Sequence, residues 1–274
     1  MIEHLDIRVL VDNTVYRAGL GAEHGLSLFI RWNDHALLFD TGQSDLFVRN
    51  ARALDVELSS LDLVVLSHGH YDHGGGLPAF LASHAGVPIV THPGAVVARW
   101  SCKPGMAPRS IGLADSIRAR RDLFQFCEQP TEIAEGCTFL GGIPRAHSEG
   151  CGVRDFFLDP EQRDPDGVLD DSGVVFDTTK GLVLITGCCH AGIANYLALV
   201  RSLWPSKNIR MVLGGLHLAA ASHSEKHDAI SALEGAGVES VAAMHCTGFR
   251  GAQALDAAGG FATIVLETGA MVGV

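Results

Sequence analysis

The chain has 274 residues, 47% hydrophobic and 19% charged, which excludes a disordered or low-complexity protein and is enough to bury one sizeable core. Twenty Lys and Arg against 31 Asp and Glu leave a net charge of −11, a field that repels phosphate backbones and excludes a broad nucleic-acid surface. Seven cysteines without a CxxC pair make neither a disulfide framework nor a zinc knuckle and fit a reducing, cytoplasmic setting; Met1-Ile2-Glu3-His4-Leu5-Asp6 shows no basic, apolar leader.

In chain order, the β-branched alternation from His4 to Val11 predicts a strand. Leu26–Trp32 and Ala36–Asp40 predict a hairpin turning at Asn33-Asp34. Ser44 is placed to cap a helix running to about Leu54. The apolar run Leu61–Leu66 is a buried strand that stops at Ser67-His68-Gly69-His70. A strand at Val87–Thr91 and a short helix at Gly94–Trp100 follow, then a less regular stretch, 101–136, with a basic group at Arg118, Arg120 and Arg121. That group reads as a solvated face, with phosphate binding as the rival. The acidic segment 155–172 reads as a solvated loop, with a lid as the rival.

Strands at Gly173–Asp177 and Leu182–Thr186 come next, then a helix at Ile193–Trp204 with Ile193, Leu197, Val200 and Trp204 on one face. Strand 210–213, helix 224–235, strand 240–244, helix 249–258 and strand 261–266 complete the chain. Residues 181–200 contain no Asp, Glu, Lys or Arg, long enough to span a membrane. Gly187-Cys188-Cys189-His190, Gly192 and Asn195 interrupt the run, so a buried strand, a turn and a helix are expected instead. No linker or fixed-period repeat divides the chain. The pattern predicts one α/β (α+β) domain over 1–274 with mixed sheets covered by helices.

The chemistry is concentrated in Ser67-His68-Gly69-His70-Tyr71-Asp72-His73-Gly74-Gly75-Gly76. Three imidazoles and a carboxylate within six positions, directly after a core strand, have no ordinary packing reason. Imidazole and carboxylate together suit zinc, and also iron or manganese. No GxGxxG or P-loop follows a strand, so a nucleotide cradle is not indicated.

His68-x-His70-x-Asp72-His73, preceded by Phe39-Asp40-Thr41-Gly42, resembles the signature of the metallo-β-lactamase superfamily. The resemblance covers essentially the whole chain. It implies a four-layer αβ/βα sandwich with a dinuclear metal site at one edge. It also implies His68 and His70 on the first metal, Asp72 and His73 on the second, and Asp40 orienting ligands. Gly187-Cys188-Cys189-His190, Gly214-Gly215-Leu216-His217 and His245-Cys246-Thr247-Gly248 are similar to the branch that contains dihydropterin–ribofuranosylaminobenzene phosphate synthase and metal-dependent hydrolases. The chain departs from the superfamily where a bridging Asp usually follows the fourth-motif glycine: here Cys188 follows Gly187. His190 is preferred as the missing first-metal ligand, with His147 of His147-Ser148-Glu149-Gly150 as the rival. Cys188 is either a ligand or a buried structural cysteine. His245 matches the superfamily's final histidine and is expected to complete the second metal, with a satisfied core histidine as the rival; His217 is expected to contact substrate or transfer a proton, with a hydrogen bond that supports a ligand as the rival. His4, His24, His35, His84, His92, His223 and His227 are expected to be ordinary.

The resemblance thus implies a metal-dependent hydrolase with Asp72 and His217 catalytic. It would hold two divalent cations, zinc first and manganese or iron next, and use a metal-bound hydroxide on an ester, lactone or phosphoester of a small molecule. A transferase of the synthase type and an inactive metal-binding sensor or scaffold stay open. Partners are expected to be a small-molecule substrate, neither nucleic acid nor membrane, and a homodimer is compatible.

Overall fold

The computed structural model describes residues 1–147 and 154–274. Strands β1 (Leu5–Val11), β2 (Ser27–Trp32) and β3 (His35–Phe39) form an antiparallel meander, and the β2–β3 hairpin turns at Asn33-Asp34 as expected. Helix α1 (Leu46–Ala53) follows. Its N-cap position is Asp45 rather than Ser44, whose hydroxyl donates to Glu23 while accepting the Leu46 N–H. Next come β4 (Leu63–Val65), α2 (Tyr71–Gly74), α3 (Leu77–Ser83), β5 (Ile89–Thr91), β6 (Trp100–Ser101), β7 (Arg109–Ser110), α4 (Asp115–Arg118), β8 (Phe124–Phe126), β9 (Thr131–Ala134), β10 (Cys137–Leu140) and β11 (Phe156–Phe157). The last third holds β12 (Gly173–Thr178), β13 (Gly181–Thr186), α5 (Ile193–Leu203), β14 (Ile209–Gly214), α6 (His223–Gly235), β15 (Ser240–Ala243), α7 (Gly248–Ala258), β16 (Ala262–Val265) and β17 (Met271–Gly273).

Among the described residues, the strands make two seven-stranded mixed sheets, β17-β1-β2-β3-β4-β5-β8 and β16-β15-β14-β13-β12-β10-β9, and one small sheet, β11-β6-β7. Alternation along each strand decides what each sheet face meets. Ile7, Val9, Leu28 and Ile30 from one sheet and Val183, Ile185, Met211 and Leu213 from the other share a single buried cluster between the sheets. The opposite face of the second sheet, through Leu182, Leu184 and Val212, packs on Tyr196, Leu233 and Leu255 of α5, α6 and α7. Leu38, Val64 and Ile89 of the first sheet pack on Phe47 and Phe80 of α1 and α3. The result is the four-layer αβ/βα sandwich. β13 is buried on both faces, and the turn after it and most of α5 are buried as well, which explains why 181–200 carries no charge. Among the described residues, no helix is long and apolar enough to cross a membrane.

Three further expectations are corrected. Gly94–Trp100 is not a helix: a single 3-10 turn spans Pro93–Val96, with Pro at its start, and Trp100 opens β6. The stretch 101–136 is more ordered than its Pro and Gly content suggests, holding β7, α4, β8 and β9. The acidic segment is not simply solvated, because Asp166, Asp170 and Asp171 are buried, the first two against the buried Arg99. The basic group does lie on the surface: Arg118 pairs with Asp115, Arg120 with Asp122, and Arg121 lies over Phe126.

Candidate metal centre

β4 runs parallel to β3, and β14 and β15 run parallel to β13. Strands running the same way deliver their C-terminal ends to one edge of each sheet, where a crevice opens. Asp40 leaves β3 there, Ser67 to His73 leave β4, Cys188 to His190 leave β13, His217 follows β14, and His245 follows β15. Asp40, Cys189, His217 and His245 all have positive φ, between 50° and 59°. Such backbone is costly away from glycine, and it gathers here because the turns must aim side chains back into the crevice.

The ring orientations are set by partners behind the site. Ser67 donates its N–H and its Oγ–H to Asp40, each at 2.7 Å. The same Oγ lies 3.0 Å from His68 Nδ1, and Asp40 Oδ2 lies 2.7 Å from His73 Nδ1. A carboxylate can only accept, so the proton is assigned to His73 Nδ1 and its Nε2 faces the crevice. Asn13 Oδ1 does the same for His245 Nδ1 at 2.9 Å, while Asp12 Oδ1 accepts the His245 N–H at 2.7 Å.

In front, the free ring nitrogens converge. His68 Nε2 and His70 Nδ1 are 3.0 Å apart. Cys188 Sγ lies 3.2 Å from His73 Nε2 and 3.3 Å from His245 Nε2. Two ligand-bearing groups result, His68–His190–Cys188 and Asp72–His73–His245–Cys188, with the thiol common to both. Among the described residues, the buried His70 Nε2, His190 Nδ1, His190 Nε2 and His217 Nδ1 have no hydrogen-bond partner. Such orphaned nitrogens are costly in a closed fold, and a cation on the ring pairs removes the cost. These residues therefore fit divalent metal ions.

The electrostatics of the imidazoles and of Asp72 agree, whereas burial pushes the Cys188 thiol up. Burial pushes His68 and His190 well below the ordinary imidazole range and His70 to about 3, so their lone pairs are available at neutral pH. Burial would raise the Asp72 carboxyl, yet His73, His24 and His245 around it hold it well below the usual carboxylate value. Burial opposes charge on His73, but Asp40 and Asp72 raise it to about 9. That environment favours a cation at Nε2, whether proton or metal. A cavity of about 370 Å³ opens over the cluster, reaching His70, Asp72, Cys188, His190, His217 and His245.

Comparison with known proteins gives the family. The model of the metallo-β-lactamase superfamily matches residues 20–196. The chain belongs to the metallo-β-lactamase superfamily. It is 32% identical to the uncharacterized protein MJ0448 of Methanocaldococcus jannaschii, over 89% of this chain and 91% of that one. It is 26% identical to the 7,8-dihydropterin-6-methyl-4-(beta-D-ribofuranosyl)-aminobenzene-5'-phosphate synthase of the same organism, over 91% and 90%. The crystal structure of Tm1679, described as a metal-dependent hydrolase of the β-lactamase superfamily, superposes with a TM-score of 0.85 at 31% identity, covering 98% of each chain.

Of the expected ligands, His68, Asp72, His73, His190 and His245 fall into the two ligand groups with Cys188; His70 is in none of them among the described residues, but its Nδ1 lies 3.0 Å from His68 Nε2 and its ring centroid 5.2 Å from that of His190. His217 lies on the cavity wall with its ring 4.6 Å from that of His190. The His147 backbone is held elsewhere, its N–H donating to Asn195 Oδ1 and its carbonyl accepting from Asn195 Nδ2. His147 is in none of the ligand groups among the described residues, and Ser148-Glu149-Gly150 lie outside those residues. His24 is not ordinary: its Nε2 is 3.2 Å from Asp72 Oδ2 and it lines the cavity. Cys246 forms a third group with Cys188 and His217. An isolated histidine in a loop carries no sequence signal, but the neighbourhood of His245 could have pointed to Cys246.

Proposed function

We propose that the protein is a hydrolase dependent on two divalent cations, zinc by preference, that cleaves an ester, lactone or phosphoester of a small molecule. The observation that carries this reading is the convergence of two ligand groups on the Cys188 thiol at the floor of a cavity. Imidazole, carboxylate and thiolate together suit zinc. When bound, such ions lower the pKa of a water into the neutral range and polarise the bond under attack.

The chain's own residues divide the remaining work. His68, His70 and His190 present neutral imidazoles to one ion, and Asp72, His73 and His245 serve the other. Cys188 stands where it can serve both. Asp40 and Asn13 fix the rings of His73 and His245 so that binding requires no rearrangement. His217, on the wall beside His190, gives a proton to the leaving group.

Elemental analysis of untagged protein should find about two metals per chain, and an ester and phosphoester panel should show turnover lost in His68→Ala and Asp72→Ala. Wild-type turnover in either variant, or no metal even after adding zinc, manganese or iron, would overturn the reading. The 26% identity to a synthase supports a second reading, group transfer. Mass spectrometry separates the two, since transfer gives a coupled adduct and hydrolysis does not.

A further inference from the structure

The small sheet β11-β6-β7 is joined directly to the ligand loop. Tyr71 N–H donates to Ile111 O at 2.9 Å, and His70 bridges to Gly112. Its register pairs Phe156 with Ser101 and Ser101 with Arg109. Residues directly opposite across strands share a face, and all three line the cavity over the ligands. The Phe156 ring stands edge-on to His70, with centroids 5.2 Å apart. The Arg109 guanidinium lies 5.0 Å over the Tyr71 ring and donates to Tyr71 Oη at 3.2 Å. Lys103, two residues beyond Ser101 and lining the same cavity, has no ion pair among the described residues. Arg154 on the same rim is paired with Glu225 at 3.1 Å, and Asp155 is a further rim carboxylate.

A chain of net charge −11 therefore turns two cations that have no carboxylate partner among the described residues toward its candidate site. We propose that the row Phe156–Ser101–Arg109, extended by Lys103, is the recognition surface of the cavity, and that the molecule it takes carries an oxyanion. The oxyanion, a phosphate or a carboxylate, binds Arg109 and Lys103 while an apolar body rests on Phe156. Arg109 is held by its stacking on Tyr71, so little side-chain freedom is lost when it grips an anion. Calling that molecule the substrate rests on the hydrolase reading; the anion preference rests on the wall alone.

The test is calorimetric binding of phenylphosphonate, benzoate and benzamide to the metal-loaded full chain, its Arg109→Ala variant and its Lys103→Ala variant. The phosphonate and carboxylate arms distinguish the two sources of oxyanion, and neither probe has an ester to hydrolyse. At least one anion should bind wild type more tightly than benzamide and lose about tenfold or more in Arg109→Ala, the usual worth of a charge-assisted hydrogen bond. Lys103→Ala should weaken the same probe in the same direction. Anion affinity unchanged in both variants would mean that metal contacts alone hold the probe, and would overturn the proposal. So would benzamide binding as tightly as the anions. Arg109-dependent anion binding in a protein that turns over no ester or phosphoester would leave this inference standing and remove the hydrolase reading.

Discussion

Asp170 accepts a hydrogen bond from the Gly69 backbone N–H at 2.8 Å, joining residues 101 positions apart at the point midway between His68 and His70. Its other oxygen receives Arg99 at 2.5 Å, and Arg99 Nη1 lies 3.2 Å from Asp166. The neighbouring residues extend the grip. Asp171 Oδ2 accepts the Ala191 N–H at 2.7 Å, next to His190. Ser172 donates its N–H at 2.9 Å and its hydroxyl at 2.5 Å to Ser67 O, next to His68. Residues 170–172 thereby tie the β4 and β13 ligand turns to one another.

Asp170→Ala should destabilise the protein by about 3–5 kcal/mol, because it leaves the buried Arg99 without its closest carboxylate. Metal affinity of the folded variant should fall by about 10–100-fold, as when a ligand loses its support. Urea unfolding and a chelator competition measure the two effects separately. Wild-type metal affinity in this variant would show that Gly69 needs no external anchor.

Gly69→Ala should be more damaging than its size suggests. An added Cβ would stand 2.0 Å from the Ala95 carbonyl oxygen, a backbone atom that cannot swing aside. The expected cost is about 3 kcal/mol or more, from strain in a closed core. Gly235→Ala, where an added Cβ meets nothing within 4 Å, is the control; near the end of α6 it should be neutral or gain up to about 1 kcal/mol. Thermal melts of the pair read the difference directly.

Cys188→Ala should lower metal content toward one ion per chain, since the thiol is the one ligand atom common to the two groups. Cadmium-loaded wild type should show a sulfur-to-metal absorption band in the near ultraviolet that the variant reduces. Cys188→Asp, with a carboxylate of similar reach, should restore the metal content but not the band. A band of full height in Cys188→Ala would assign the sulfur ligation to Cys246.

Asp171 sets a pH dependence whose sign is fixed by its burial. Burial raises its carboxyl from 3.8 to about 7, against the opposing Ala191 N–H. The folded protein therefore holds a proton there that the unfolded chain releases. The stability it contributes is complete below about pH 4 and is lost as pH rises through about 7, at no more than about 1.4 kcal/mol per pH unit. Metal-free Asp171→Asn should lose this slope relative to metal-free wild type, so urea midpoints of the two should diverge between pH 4 and 7. Parallel curves across that range would place a charged carboxylate at Asp171.

The residues that gather at the candidate centre were legible because their signals are local. His68 to His73 fall within six positions after a core strand, and His190 and His245 each follow a strand of buried residues. The sheets were legible for the same reason, since alternation and apolar runs report which strand faces are buried. The β6–β7 and β9–β10 pairs were missed because strands of two to four residues are too short to show a period. Asp166, Asp170 and Asp171 looked solvated because acidic residues usually are; their partners Arg99, Gly69 and Ala191 lie far away in sequence.

By itself the sequence determined the donor types, the strands they follow and the sandwich those strands build, because residue chemistry and periodicity are properties of short segments. Only the tertiary structure decided that Cys188 stands between both ligand groups, that His24 touches Asp72, and that residues 170–172 bind the two turns together. Those relations are distances between segments 20 to more than 100 residues apart, and they exist only once parallel strands from two sheets bring their ends to one edge.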